Sequence, residues 1–429
     1  MVTVVLFVCF IILLMMKVPV SISMGTASLI ALLIGDYPLM SLPQKMGNAV
    51  MSYTLMAVPF FIFAGNLMNA AGLTKRIFNF AFALVGHIRG GLAQVNILAS
   101  MIFAGISGSF VADTAGLGTV EMKAMTDRHY DKYFSAAVTV SSSILGPIIP
   151  PSIILIVYAV AMQVSIARIF LAGVVPGIVV GFLLMVGVYI IALRRPMDFP
   201  REKRLPFAEF LRVLRGGMLA VISPIIILWG MVGGVITPTE AGILAVIWSL
   251  FVGIVYKEFS IKVLPKVLYE SFLSSAHIMF LISVGSLMGW IITMDGTAEP
   301  LAESVLKIAS NKYLILIMIN IIALVIGCLM EPTPALLVTL PIFSPFITQL
   351  NIDPLHFGIM LTFNLCIGML TPPVGLGLFV MCSITDLKFG LLARAVIPFL
   401  FILFIGLMII TYIPWLSCWL PRLVMPYSS

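Results

Sequence analysis

Apolar runs long enough to cross a lipid bilayer recur from one end of this 429-residue chain to the other. A membrane-spanning helix needs about 20 consecutive, mostly apolar residues. Only 10% of the residues are charged, whereas soluble domains carry roughly 25%, so the chain has too few charges to cover the surface of a soluble protein of this length. We therefore expect an all-α, polytopic membrane protein built from the apolar runs 2–35, 48–71, 76–104, 115–126, 133–162, 168–193, 217–256, 269–293, 313–349, 355–384 and 390–420.

The cysteines and the basic residues do not indicate another kind of chemistry. The five cysteines lie apart in apolar runs and form no Cys-x-x-Cys or Cys/His cluster, so we expect neither a disulfide framework nor a zinc site. The net charge of +7 comes from Lys and Arg in short loops, as the positive-inside rule produces, and we expect no nucleic-acid binding. The N-terminal run lacks the basic start and the cleavage site of a signal peptide, so it should be a retained helix.

A weak internal duplication divides the chain into two halves. Three pairs of positions match in the same order at an offset of 220 or 222 residues: Gly65 with Gly285, Gly146 with Gly368, and Pro176 with Pro398. One match would be noise in so apolar a sequence, but three at nearly one offset are not. We expect a first repeat over 1–193 and a second over 217–429, joined by a basic cytoplasmic connection at 194–216.

Each repeat is predicted to contain a re-entrant hairpin followed by a broken helix. The hairpins are expected at about 91–126 and 313–349, and the broken helices at about 133–162 and 355–384. Repeated halves with Gly- and Pro-interrupted apolar segments are typical of secondary transporters, whose sites lie at the interruptions near the midplane. The first hairpin is flanked by four basic residues, and the second by two lysines together with three acidic residues: Arg89, Lys123, Arg128 and Lys132 at the first, and Lys307, Lys312, Glu299, Glu303 and Asp353 at the second. The two pseudo-symmetric repeats should therefore be inverted, with the first hairpin entering from the cytoplasm.

Four segments break helical rules at depths where lipid should forbid it: 105–114, 141–152, 327–334 and 364–375. Proline cannot donate the helical hydrogen bond, so carbonyls freed by these breaks need other partners. Irregular backbone at this depth is tolerated only where protein buries it or where it lines a watery cavity. A single break could be a simple kink, but four paired breaks rich in Ser and Thr favour binding sites.

Carbonyl and hydroxyl oxygens at these breaks are the ligands that a small hard cation prefers. We expect Na⁺ as the coupling ion, at two or more sites. The first site is assigned to Ser107, Gly108, Asp113, Ser142 and Gly146, and the second to Gly327, Thr333, Gly368 and Thr371. Residues of the same segments are assigned to the anionic substrate: Ser109, Asp113, Thr114, Ser152, Pro334 and Val374. No Lys or Arg lies in these segments, so amides, hydroxyls, helix N-termini and the field of the cation would hold a carboxylate.

Three acidic residues lie in otherwise apolar surroundings. An ionisable group at membrane depth costs roughly 2.5–3.5 kcal/mol on insertion scales, so Asp113 and Glu331 are functional candidates. Glu331 could instead lie at the mouth of a hairpin, where this cost disappears. Glu240 is interpreted as a structural acid at a helix start that follows Thr239.

The same residues resemble, over essentially the whole chain, the large membrane subunit of tripartite ATP-independent periplasmic (TRAP) transporters. The motifs that carry the resemblance are Ser107-Gly-Ser-x-x-x-Asp113-Thr, Gly146-Pro-x-x-Pro-Pro-Ser152, Thr237-Pro-Thr-Glu-Ala-Gly242 and Thr371-Pro-Pro-Val-Gly375. The resemblance implies a multi-pass protein of the bacterial inner membrane with an ion-transporter-type elevator fold and sodium-coupled movement of a transport domain. It also implies two partners, a small four-helix membrane subunit on a separate polypeptide and a periplasmic substrate-binding protein.

The function that these patterns favour is sodium-coupled uptake of an organic anion, with a sialic acid as the working choice and a C4-dicarboxylate beside it. The alternatives are a self-sufficient ion-coupled organic-acid carrier, a channel and an intramembrane enzyme. Asp113-Thr114-Ala115 resembles part of an aspartic-protease motif, but that chemistry needs two carboxylates sharing a site. Channels use rings of identical groups, and the absence of a phosphate-loop motif argues against a primary pump.

Overall fold

The structure, a computed structural model, describes residues 1–195, 204–308, 311–372 and 374–426. Within these ranges every regular element is helical and no strand is present, so the predicted all-α class is confirmed. Seven helices of the described ranges are long and apolar enough to cross a membrane. Residues 196–203 of the basic connection, and Pro373 of the second broken helix, lie outside the described residues.

The first half of the chain is built mainly of helices that are shorter than a full membrane span. Its helices are α1 (Val2–Met15), α2 (Val20–Ile34), α3 (Ser41–Val50), α4 (Ala57–Ala70), α5 (Leu73–Val85), α6 (Gly91–Ser107), α7 (Phe110–Ala112), α8 (Gly118–Thr126), α9 (Lys132–Ser142), α10 (Ile153–Ala161) and α11 (Ile166–Arg194). A π-helical turn over Asp113–Leu117 joins α7 to α8. One helical arm therefore runs from Phe110 to Thr126 and lies against α6 and α9.

The described helices of the second half begin after the basic connection. They are α12 (Phe207–Val232), α13 (Pro238–Val255), α14 (Leu264–Asp295), α15 (Ala298–Ile308), α16 (Lys312–Leu329), α17 (Pro332–Gln349), α18 (Pro354–Gly368), α19 (Leu376–Thr385), α20 (Phe389–Tyr412) and α21 (Trp415–Val424). The apolar run 217–256, which the sequence presents as continuous, is divided between α12 and α13. The division follows from Gly233 and Gly234, which end α12, and from Pro238, which begins α13.

The start of α13 shows how Glu240 acts. Glu240 has the structural role expected of it at a helix start, and the residue that caps the helix is Thr237. The Thr237 hydroxyl accepts from the Glu240 amide (3.3 Å), and Glu240 Oε2 accepts from the Thr237 amide (2.7 Å). Such a reciprocal pair is a capping box, which satisfies two amides that a helix leaves free at its start. The Thr239 hydroxyl instead donates to the carbonyl oxygen of Tyr53 (3.0 Å).

The helix order of the first half recurs in the second. In the first half a helical pair, α6 with α7–α8, is followed by the interrupted helix α9/α10 and by the long apolar helix α11. In the second half the pair α16 and α17 is followed by the interrupted helix α18/α19 and by the long apolar helix α20. The two pairs and the two interrupted helices occupy the intervals predicted for the hairpins and the broken helices. Their re-entry into the membrane and the inversion of the repeats stay predictions.

The two interrupted helices lie together and run in opposite directions. The Tyr158 hydroxyl, near the end of α10, donates to the carbonyl oxygen of Pro354 at the start of α18 (2.5 Å). In turn α19 packs against α9. The hairpins pack reciprocally as well, because α17 contacts α10 while α7 contacts α19. An exchange of contacts between halves is what a pseudo-two-fold axis produces, and it brings both hairpin turns to one place.

Candidate functional site

The turns of the two hairpins meet at one cavity of about 120 Å³. The hairpin turns contribute Gly108, Ser109, Glu331 and Thr333, and the two helix breaks contribute Pro147 and Met369. Ile278 and Leu281 of α14 add an apolar wall. Residues from all four broken segments therefore line one space, and among these lining residues Glu331 is the charged one.

The first hairpin turn is docked onto the end of the first break. Gly108 adopts a left-handed conformation (φ +60°), and a Cβ atom there would lie 3.2 Å from Ser152 Cα. Only glycine adopts this backbone conformation readily and leaves room for so close an approach. The Gly108 carbonyl oxygen accepts from the Ile153 amide (3.4 Å). The Ser152 hydroxyl donates to the carbonyl oxygen of Pro147 (2.6 Å), so it satisfies one of the carbonyls that the break sets free.

Asp113 begins the π-helical turn of the same hairpin and is buried, with 1% of its surface exposed. The Ser107 hydroxyl donates to Asp113 Oδ1, while Oδ2 has no hydrogen-bond partner in the described part of the chain. A Cβ atom at Gly146 would lie 2.8 Å from Oδ2 and 3.1 Å from the carbonyl oxygen of Ser109. A buried carboxylate oxygen beside a carbonyl oxygen is unfavourable unless a cation or a proton lies between them. Four of the five residues assigned to the first cation site are thus brought together.

Ser142, the fifth residue assigned to this site, belongs to a separate hydrogen-bond network. Its hydroxyl donates to Asn96 Oδ1 (2.8 Å) and accepts from the Ser100 hydroxyl (2.9 Å). The Asn96 amide in turn donates to the Thr139 hydroxyl (2.7 Å). These bonds tie the break-side end of α9 to the hairpin arm α6 and engage the Ser142 hydroxyl there rather than at Asp113.

The equivalent position in the second half, Asn364, makes an equivalent link. Its side-chain amide donates to the carbonyl and to Oδ1 of Asn320 in the hairpin arm α16, both at 2.8 Å. Asn320 donates to the Thr411 hydroxyl of α20 (3.0 Å). Asn96, Asn320 and Asn364 are not among the site residues predicted from the sequence. The sequence feature that could have identified them is an amide side chain within an apolar run, because such side chains hydrogen-bond between membrane helices.

Two residues of the second cation site, Gly327 and Gly368, are in backbone contact. A Cβ atom at Gly368 would lie 2.6 Å from Gly327 Cα and 2.8 Å from the Cys328 amide nitrogen. The Thr371 hydroxyl, within the second break, donates to the carbonyl oxygen of Ile367 (3.0 Å). Thr333 lies apart from these three, in the hairpin turn that lines the cavity.

The residues assigned to the substrate are less closely grouped. Ser109 lines the cavity, and Asp113 and Ser152 lie behind it in the first turn and break. The Thr114 hydroxyl is engaged with the Phe110 carbonyl (2.9 Å). Pro334 is buried within α17, and Val374 is half-buried in the second break. The structure therefore places Ser109 and Thr333 in the cavity together with Glu331.

An all-helical chain whose two halves each contribute a hairpin turn and a helix break to one cavity belongs to the class of multi-pass membrane transport proteins. The fold is similar to that of the Alcanivorax borkumensis YdaH transporter, with a TM-score of 0.62, 12% identity and 88% of each chain covered.

Sequence comparison identifies the family. Residues 7–416 match the family model described as the DctM component of tripartite ATP-independent periplasmic transporters. Three bacterial relatives are similar over nearly their whole length. An uncharacterized protein of Salmonella typhimurium, YgiK, is 40% identical (99% of this chain, 98% of the relative). The sialic acid TRAP transporter large permease SiaM of Vibrio cholerae is 39% identical (90% of each). The C4-dicarboxylate TRAP transporter large permease DctM of Pseudomonas aeruginosa is also 39% identical (92% and 93%).

This chain belongs to the DctM family, the large permease component of TRAP transporters. It is accordingly a transport protein of the bacterial inner membrane and not an enzyme.

Proposed function

We propose that this chain is the transport subunit of a sodium-coupled uptake system for an organic anion and that it works by alternating access. The observation that carries the proposal is the cavity shared by both hairpin turns, together with the unpaired oxygen of Asp113, which lies with the carbonyl oxygen of the cavity-lining Ser109 around Gly146. A cavity built from movable hairpins and broken helices can face either side of the membrane in turn.

Sodium is the coupling ion that the chemistry of the first turn favours. Asp113 supplies a full negative charge, and the Ser109 carbonyl and the Ser107 hydroxyl supply neutral oxygens beside it. Hard cations take such oxygen ligands. The break at Gly327, Gly368 and Thr371 supplies backbone carbonyls and a hydroxyl for a second ion. A bound cation at Asp113 would also place positive charge next to the cavity, where a carboxylate substrate could use it.

The substrate is proposed to be a carboxylate, with a sialic acid as the working choice and a C4-dicarboxylate as the alternative. Two of the relatives are named for these two substrates. No Lys or Arg is among the residues that line the cavity. Without the bidentate arginine that makes tight carboxylate recognition possible, the chain would bind free substrate weakly. Ser109 and Thr333 would donate hydrogen bonds, and Glu331 would accept them from substrate hydroxyl groups.

The two ends of the molecule differ in how closely the hairpins and broken helices pack on the remaining helices. We define the acidic side as the end with Asp295 and Asp353, and the basic side as the end with Arg76 and Lys132. On the acidic side a cavity of about 370 Å³ separates α14 from α10 and α17, with Gly289, Thr293 and Ser344 on its walls. The positive-inside rule assigns this side to the periplasm.

On the basic side the same two groups of helices are in close contact. A Cβ atom at Gly65 of α4 would lie 3.4 Å from Ser107 Cα, and one at Gly116 would lie 3.0 Å from Asn69 Nδ2. A crevice open on one side and closed on the other is the arrangement expected of an outward-facing carrier. We propose that the hairpins and broken helices move as one body, in the manner of an elevator, against α4, α13 and α14.

Recognition is proposed to depend on two partners that the family implies, a small four-helix membrane subunit and a periplasmic substrate-binding protein. The described part of the chain contains helices and short turns, with no domain able to capture a ligand outside the membrane. The periplasmic crevice beside α14 is where a docked binding protein would release its substrate.

The experiment that tests the proposal is uptake into proteoliposomes that contain this chain and the small subunit, with loaded binding protein outside. Ligand screening of the binding protein first identifies which acid to use, a sialic acid or a C4-dicarboxylate. Accumulation is expected with an inward Na⁺ gradient and none with K⁺ in its place. Full uptake driven by a proton gradient without Na⁺ would contradict the sodium assignment.

A further inference from the structure

Glu121 is a completely buried acid that the transport site leaves unused. It lies in α8, in the second arm of the first hairpin, and 0% of its surface is exposed. Neither of its carboxylate oxygens has a hydrogen-bond partner in the described part of the chain. An ionised carboxylate is too costly to bury in this condition, and such groups are stable in proteins when they are paired or neutral.

The surroundings of Glu121 are the junction of α6, α8 and α9. One turn before it, Gly118 lies against α9, because a Cβ atom there would be 2.8 Å from the side-chain methyl of Thr139. One turn after it, the sulfur of Met125 accepts from the Asn96 amide of α6 (3.8 Å). Residues three and four apart share a helix face, so Glu121 points into the same junction. Its neighbours on this face of α8 are Gly118 and Met125, and neither carries a charge.

The two buried acids of the first hairpin have no buried basic partner in the described residues. In the described residues, Asp113 and Glu121 are the buried carboxylates, and no Lys or Arg is buried. A cation beside Asp113 would cancel one of the two charges. If Glu121 were ionised, the hairpin would still carry the second charge whenever it moved, in a region where charges are expensive. Glu121 therefore needs an ion of its own.

A proton meets this need and a metal cation does not. A hard cation requires several oxygen ligands, and the polar oxygens of the junction are occupied with one another in the Asn96–Thr139–Ser142 network. A proton requires only the carboxylate itself.

No basic side chain in the neighbouring elements can take the place of this proton. The helical segments packed against α8 are the π-helical turn, α5, α6 and α9. The π-helical turn contributes Asp113, and α6 contains no titratable residue. The other titratable residues of α5, α8 and α9 are exposed or half-buried towards the basic side: Lys75, Arg76, Lys123, Lys132 and Tyr133. Arg76 is already paired with Glu258 (2.6 Å).

We propose that Glu121 is a further ion site of this chain, separate from the two proposed Na⁺ sites, and that its ion is a proton, which the carboxylate binds as a neutral acid within the first hairpin. The proton adds to one carboxylate oxygen and comes from water at the basic-side mouth of the hairpin, where α8 ends. The site gives the carrier a proton dependence separate from its proposed dependence on Na⁺. At high pH, loss of the proton leaves a bare charge in the junction.

Infrared difference spectroscopy between high and low pH tests the proposal on the purified chain in lipid nanodiscs. The carbonyl stretch of a protonated, buried carboxylic acid should appear at low pH and disappear at high pH. Labelling glutamate carboxyls with ¹³C should shift this band, while labelling aspartate should not. Glu121 is the buried glutamate of the described chain. With the lower pH kept above about 6, exposed glutamates stay ionised throughout, since they titrate at about pH 4.3, so the label assigns the band to Glu121 without any substitution.

Two variants complete the test. Glu121→Gln should lose the band completely, and Glu303→Gln, an exposed glutamate of α15, should keep it. Ionised Glu121 should also strengthen Na⁺ binding at Asp113, because its negative charge attracts the cation. The Na⁺ affinity of the wild type should therefore fall about tenfold from high to low pH. This is the effect expected for the Glu121 carboxylate and a Na⁺ ion roughly 12 Å apart at an effective dielectric constant of about 20. Glu121→Gln should remove this pH dependence.

Absence of a glutamate band in the wild type, or its persistence in Glu121→Gln, would overturn the proposal. The band is measured without substrate or Na⁺, so it decides on Glu121 whether or not sodium drives uptake.

Discussion

Among the individual residues, Asp113 has the least ordinary environment of the transport site. One oxygen accepts from Ser107, and the other faces Gly146 and the Ser109 carbonyl without a protein donor. Two features of the sequence indicated such a residue: an acid within an apolar run and small hydroxyl-bearing neighbours. The close approach of Gly146 was indicated less directly, because it depends on how two segments far apart in the sequence pack against each other.

Asp113→Asn should reduce Na⁺-dependent uptake by at least tenfold while the protein remains folded. The amide keeps the volume and the hydrogen bond from Ser107 but removes the charge. An interaction with a charged group contributes about 1.5–3 kcal/mol, and every 1.4 kcal/mol lost weakens binding about tenfold. The matched control is Asp127→Asn, an exposed acid beyond the end of α8. Equal Na⁺ dependence of uptake in the two variants would return Asp113 to a purely structural role.

Thr371→Val should weaken Na⁺ dependence in the same uptake assay. The Thr371 hydroxyl donates to the Ile367 carbonyl (3.0 Å) at the second break, so its oxygen remains available to a cation. Thr385→Val is the matched control, because its hydroxyl makes the same kind of bond, to the Met381 carbonyl (2.7 Å), at the far end of α19. If both variants lose Na⁺ dependence equally, the hydroxyl acts through helix stability and not as a ligand.

For the helices, the closest approach in the second half is between α16 and α18, where Gly327 and Gly368 touch. Gly368→Ala should destabilise the protein by about 1–3 kcal/mol, the usual cost of overpacking, because the new methyl would overlap the Gly327 backbone. Gly390→Ala, in α20, is the control, since a Cβ atom there meets nothing within 4 Å. It should be neutral or stabilising by up to about 1 kcal/mol.

Thermal unfolding of the two variants in detergent measures the difference. The melting temperature should fall for Gly368→Ala and remain unchanged or rise for Gly390→Ala. An unchanged melting temperature for Gly368→Ala would mean that α16 and α18 can separate at no cost, and the second break would then be less rigid than the contact indicates.

The helix breaks were predictable from the sequence, whereas the links between them were not. Proline and glycine within apolar runs disturb the helix wherever they occur, and this local effect located the break at Gly146–Ser152 and its counterpart after Gly368. The partners of the polar side chains depend on which helices become neighbours. For this reason Ser142 was assigned to the cation site, although its hydroxyl is bonded to Asn96, and Glu121 was passed over within an apolar run.

For the whole molecule, the proposed movement requires the contact between α4 and the first hairpin to open. Asn69→Cys combined with Gly116→Cys should trap the closed contact. A Cβ atom at Gly116 would lie 3.3 Å from Asn69 Cγ, the position that the sulfur of the Asn69→Cys variant would occupy, which brings the two side chains within reach of a disulfide. Oxidation should stop uptake, and reduction should restore it. Each single cysteine variant serves as a control. Unchanged uptake by the fully cross-linked protein would show that these two elements move together.

The central claim is that this chain moves an organic anion only as part of a three-component, sodium-driven system. Radiolabelled uptake into proteoliposomes, with each component omitted in turn, tests it most directly. We expect little uptake by the large subunit alone even with an inward Na⁺ gradient, stabilisation by the small subunit, and transport only when substrate-loaded binding protein is added. Saturable uptake of free substrate at micromolar concentration, without the binding protein, would contradict this account and identify the chain as a self-sufficient carrier.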